Sequence, residues 1–146
     1  MILRAPLLAA ALLAGLAATA LARPLTPAER RYEAYTGQVA SCDDPAVLAR
    51  IRARFAAKES EYWNSRLEIV AIDRVRQIGF RSWGADHIPR RYCTARAHMN
   101  DHRLRAVDYW VGESLGIIGW GFGVEWCVRG LDRNLAYSPG CKMARP

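Results

Sequence analysis

The sequence predicts an α+β fold: one main helix packed on a four-stranded antiparallel meander sheet, stabilised by disulfides. Three observations carry this expectation. Apolar residues recur at helical spacing in one long segment, residues 45–63. Beyond residue 65 the period falls to two and β-branched residues become common. The extended segments are joined by turn-rich connections too short for the helical crossovers of a parallel sheet. Hydrophobic residues make up 51% and charged residues 24% of the 146, with five Trp and six Tyr, a composition too apolar and aromatic for disorder. No internal repeat supports a solenoid.

Residues 1–22 read as a signal peptide. Arg4 precedes the Ala/Leu run 5–22, which ends in Ala20-Leu21-Ala22, a small-x-small site that places cleavage before Arg23. Ala18-Thr19-Ala20 is the alternative site, cutting two residues earlier, and an uncleaved anchor is the other alternative, because the run nearly reaches spanning length. Removal of the run leaves roughly 120 residues, enough for one modest core, and no further apolar stretch of membrane-spanning length. The expected product is periplasmic or secreted, with no stable membrane insertion. Residues 23–41 form an N-terminal extension, in which Thr26-Pro27-Ala28-Glu29 starts a short helix ending near Thr36, and residues 42–146 form a single domain.

Asp44 and Pro45 start the main helix, the first as cap and the second with its preset φ, and Leu48, Ile51, Phe55 and Tyr62 follow at helical spacing. Residues 67–72 form the first strand, and Gly79, Gly84 and Pro89 mark a loop over 79–89. From 91 to 99 the pattern alternates, with Cys93, Ala95, Ala97 and Met99 on one face and Tyr92, Thr94, Arg96 and His98 on the other. Asn100-Asp101 reads as a two-residue turn into a third strand at 104–111. A Gly-rich segment, 112–121, precedes a fourth strand at 122–129 that places Phe122, Val124, Trp126 and Val128 on one face. The tail to Pro146 has no periodicity. The helix is expected over Ala95, Ala97 and Ala106, with Phe55, Leu48, Leu104, Trp110 and Trp126 filling the layer. Cystatin-like folds share this outline, which by itself carries no function.

Four cysteines, Cys42, Cys93, Cys127 and Cys141, form an even set in a short exported chain and so read as a disulfide framework. Three pairings are possible. A meander brings strand two back to the helix N-terminus, which favours Cys42 with Cys93, and a folded-back tail then presents Cys141 to Cys127.

Cys42-Asp43-Asp44-Pro45, Ile88-Pro89-Arg90-Arg91-Tyr92-Cys93, Glu125-Trp126-Cys127-Val128 with Gly130-Leu131-Asp132, and Tyr137 before Cys141 together resemble a family of small exported four-cysteine proteins of alphaproteobacteria. The resemblance covers about residues 42 to 141. It implies export and disulfide bonding and brings no catalytic or binding residue.

No constellation points to a cofactor or a metal. Cys93, His98 and His102 contain a His-x₃-His spacing, but the strand pattern scatters them over two faces and a turn. No Ser lies in a Gly-x-Ser-x-Gly elbow, and a cysteine nucleophile would have to escape pairing. Gly119-Trp120-Gly121-Phe122-Gly123 precedes a strand, whereas a dinucleotide-binding loop precedes a helix.

A net charge of +7 carried mainly by arginine suits anionic partners. With a two-residue turn, Arg96 faces Arg105 and Tyr92 faces Tyr109 on the sheet face away from the helix, beside His98 and Arg103. Like charges directly opposite are unfavourable. Both guanidiniums could splay into water or be neutralised by an acid such as Glu125; they could also hold a phosphate, carboxylate or polyanion. The expected function is therefore an exported non-catalytic domain that binds a protein or an anionic envelope component through this face. The alternative is a small secreted hydrolase-like enzyme whose site is not identified. Export and the lack of a nucleic-acid-binding motif argue against nucleic acid as partner. A deep cleft with pKa-perturbed groups would favour the enzyme, and a shallow basic face would favour binding.

Overall fold

The computed structural model describes residues 35–81, 88–116 and 121–146. The signal segment, most of the short N-terminal helix, and parts of the 79–89 loop and the Gly-rich segment lie outside the described residues. Helix α1 spans Pro45–Trp63. Asp44 accepts a hydrogen bond from the Ala46 N–H at 2.8 Å, Pro45 opens the first turn, and Asn64 ends the helix in the left-handed region at φ 45°. The strands are β1 Ile69–Arg81, β2 Arg90–Met99, β3 Leu104–Gly112 and β4 Gly123–Val128. They pair antiparallel in the order β1-β2-β3-β4, the expected meander.

Helix α1 buries Val47, Ile51, Phe55 and Glu59, one residue per turn. The three apolar members join Cys93, Ala95, Ala97, Val107, Tyr109, Val111, Val124 and Val128 in a single core. Burying a side chain of this size contributes about 1.5–3 kcal/mol, so the α1–sheet layer carries the fold. Alanines at 95 and 97 leave room for the Phe55 ring, which meets Trp126 edge-on with centroids 5.6 Å apart. Tyr62, expected in the helix stripe, is 66% exposed. Glu59 takes its turn of that stripe instead, because Arg133 supplies an ion pair at 2.9 Å.

Residues 36–42, before the helix, are strapped to the sheet. Arg91 donates to the carbonyls of Ala40 and Val39 at 3.0 and 3.1 Å, and the Tyr109 hydroxyl donates to the Cys42 carbonyl at 2.6 Å. The Glu113 carboxylate accepts from the Thr36 N–H, the Thr36 hydroxyl and the Gly37 N–H. Disulfides join Cys42 to Cys93 and Cys127 to Cys141, the pairing that the meander favoured. Bonds of this kind persist in oxidising compartments. Among the described residues no helix is long and apolar enough to cross a membrane.

Two further expectations fail, both for reasons of strand geometry. The first strand is not confined to 67–72 but runs to Arg81, with Gly79 inside it, and its register shifts between Ile69 and Ala71, Asp73 and Arg76, and Gln77 and Gly79. Each bulge adds a residue on one side and reverses which face the following residues occupy, so the alternation that marks a strand is lost. The second failure is the β2–β3 turn. Its loop is Asn100, Asp101 and His102: the His102 N–H donates to the Met99 carbonyl, the Met99 N–H donates to the Arg103 carbonyl, and His102 is left-handed at φ 62°. The register therefore slips by one. Arg96 stands opposite Ala106 and Arg105 opposite Ala97, while Tyr92 meets Trp110 and Cys93 meets Tyr109. Leu104, Ala106 and Trp110 consequently leave the helix-covered face, and Val107, Tyr109 and Val111 take their place in the core.

Candidate functional site

The sheet face away from α1 carries the charged groups, arranged differently from the expectation. Arg96 is on it and Arg105 falls in register with the helix-covered residues, so the proposed like-charge pair does not exist. Tyr92 is on the outer face but buried, 5% exposed; Tyr109 is in the core with its hydroxyl bonded to Cys42. Arg103 lies in the hairpin connection and reaches Asp101 at 3.8 Å, as does Arg105. A like-charged pair does occur directly opposite on this sheet, between Arg81 and Arg90 across β1 and β2. Arg90 lies over the Trp110 ring at 4.5 Å, which spreads its charge onto an aromatic face.

Asp73, on β1, is the acid that neutralises Arg96; Glu125 instead accepts a hydrogen bond from Tyr137. The Arg96 Nε and Nη2 meet the two Asp73 oxygens at 2.8 and 2.5 Å, and the His98 Nε2 lies 3.0 Å from Oδ2. Hydrogen bonds from Arg96, then His98, hold the Asp73 carboxyl well below the usual carboxylate range. A second carboxylate, Asp108 on β3, is fully buried, accepts two hydrogen bonds from Arg129 and one from the Thr94 hydroxyl, and has Arg145 Nε 3.7 Å away. The segment after β4 is held here by Cys127–Cys141 and a short 3₁₀ turn, Lys142–Ala144. It crosses the sheet as far as Gly79, where an added Cβ would lie 2.9 Å from a Pro146 side-chain carbon.

Between β1 and this segment lies an open groove of about 760 Å³. Six arginines border it, Arg74, Arg76, Arg96, Arg105, Arg129 and Arg145, against one carboxylate, Asp108. Arg96 and Arg129 are oriented by their acids, a preorganised arrangement for planar guanidinium forks. Arg74 and Arg76 are exposed and make no hydrogen bond or ion pair among the described residues. Arg74 sits in the left-handed region at φ 49°, inside the second bulge, a conformation that costs of order 1–3 kcal/mol in a bulky residue. The Nε atoms of Arg105 and Arg145 are buried without an acceptor.

Of the six residues singled out from the sequence, Arg96 and Arg105 border the groove; Tyr92, Tyr109, His98 and Arg103 do not. Arg74, Arg76, Arg129 and Arg145 were missed. Apolar residues at 72, 75 and 78 fall three apart, so the stretch matches neither period and the pattern assigns its arginines to no face. The ligand set weighed for a metal is dispersed: Cys93 is disulfide-bonded on the helix side, and His98 faces Asp73 on the other. Hydrogen bonds from Arg96 and then His98 hold Asp73 below the usual carboxylate range, and the Tyr109 and Tyr137 phenols are pushed up chiefly by burial. Compared with protein-family models, curated proteins and solved structures, the chain matches none.

Proposed function

We propose that this chain is an exported, non-catalytic binding module that takes an anionic component of the cell envelope into the arginine-bordered groove. The observation that carries the reading is that Arg74, Arg76, Arg96, Arg129 and Arg145 border one groove, with Asp73 paired to Arg96 and Asp108 to Arg129. Such a surface gathers field lines and favours anions by position as well as by net charge. Its open form suits holding a ligand at the surface. Two disulfides and a charge of +7 are compatible with that setting.

Retention on immobilised heparin, a soluble polyanion, tests the reading. Arg74→Ala with Arg76→Ala should elute at clearly lower salt than wild type. Arg66→Ala with Arg103→Ala, an equal loss of charge at exposed positions outside the groove, should elute close to wild type. Retention of the wild type should fall steeply as the Debye length drops below about 10 Å. Equal shifts in the two double variants would mean that net charge, not the groove, holds the anion.

A further inference from the structure

Three of the four β1 residues that wall the groove are its bulged residues. Arg74 and Val75 lie between the Asp73–Arg96 and Arg76–Thr94 pairs, and Ile78 lies between the Gln77–Cys93 and Gly79–Tyr92 pairs, all three without a partner on β2. A regular strand would alternate this stretch strictly between the two faces; the bulges instead bring Arg74 and Ile78 to the groove, while Val75 borders it and also packs against the helix-side core. Ile78 is 37% exposed there, and Leu104, displaced from the core by the three-residue hairpin loop, is 57% exposed on the same groove. A groove for a purely ionic ligand has no use for aliphatic side chains exposed among its arginines. Guanidiniums held by Asp73 and Asp108 next to exposed Ile78 and Leu104 and half-buried Val75 match a ligand with an oxyanion head and an apolar tail.

We infer that the groove binds a single-chain anionic amphiphile, its phosphate- or carboxylate-type head on the arginines and its chain along Val75, Ile78 and Leu104. This rests on the groove being the anion site proposed above. Titration with dodecyl phosphate below its micelle concentration, ethyl phosphate and anionic phospholipid vesicles, followed by calorimetry, tests it on the intact chain. Dodecyl phosphate should bind the wild type at least about tenfold more tightly than ethyl phosphate, since burying each methylene is favourable. Ile78→Ser with Leu104→Ser should abolish most of that chain-length advantage while leaving heparin retention unchanged, which also shows that the variant is folded.

Equal affinity for the two phosphates overturns the inference, and the heparin result for the Arg74 and Arg76 variant then decides separately whether the groove reading stands. A chain-length advantage that survives in the serine variant also overturns it, because the chain would be bound elsewhere. Binding to vesicles without binding of monomeric dodecyl phosphate overturns it in favour of a membrane surface.

Discussion

Asp108 is accommodated without solvent exposure because two Arg129 donors and the Thr94 hydroxyl occupy its oxygens. Asp73 works in the open, on a side chain 41% exposed, and depends on Arg96 and His98. These hydrogen bonds lower the folded-state pKa of Asp73 below its unfolded value of about 3.9. Its stabilisation is therefore complete above that value and is lost as the pH falls towards the folded one. The urea midpoint of the wild type should drop between about pH 5 and pH 2.5, and drop less in Asp73→Asn, which gives up the same interaction at every pH. Glu113, where hydrogen bonds from Thr36 and Gly37 outweigh the upward push of burial, and Asp43, lowered by Ser41, keep some acid sensitivity in the variant. Parallel pH profiles for the two proteins would show that Asp73 contributes no proton-linked stability.

At the scale of elements, the β2–β3 hairpin was legible in its strands and illegible in its turn. Alternation placed Cys93, Ala95, Ala97 and Met99 on the buried face, as the core confirms. The turn needs a left-handed residue at its third loop position, usually marked by Gly, and here that position is His102, so nothing in the residue types distinguished three loop residues from two. His102 is exposed and makes no side-chain hydrogen bond or ion pair among the described residues. His102→Gly should therefore raise stability by about 0.5–1 kcal/mol, relief of the left-handed strain being partly offset by the entropy of the unfolded glycine. Thermal unfolding reads the change, and a lower midpoint would mean that the histidine makes a stabilising contact. Strand β1 hid its length for a related reason: three register shifts remove the period-two signal from residues 70–81.

Across the whole molecule, the disulfides divide the work between fold and groove. Cys42–Cys93 closes a separation of 51 residues and pins the segment before α1 to β2; Cys127–Cys141 closes 14 and pins the segment that brings Arg145 to Asp108. On chain-entropy grounds, removing the first by Cys42→Ser with Cys93→Ser should cost about 4 kcal/mol and removing the second by Cys127→Ser with Cys141→Ser about 3 kcal/mol. Only the second pair of substitutions should also weaken heparin retention per folded molecule, because it frees the segment that carries Arg145. Unfolding in urea gives the first comparison and column elution the second. Unchanged retention after loss of Cys127–Cys141 would show that the segment stays in place without its tether.

The sequence by itself determined the helix and its start, the antiparallel meander and the buried faces of β2 and β4; it favoured the disulfide pairing through the meander, and the structure decided it. The first three follow from a local period, a capping residue or the order of elements along the chain. Which residues of β1 and β3 share a face was decided only in the tertiary structure. Periodicity orders side chains within a strand, but the register between strands depends on loop length and bulges, and one added residue reverses every face that follows. That reversal put Arg105 in register with the core side and left Leu104 in the groove, while the fold brought Arg74, Arg76, Arg129 and Arg145 to the groove beside Arg96 from three other stretches of chain.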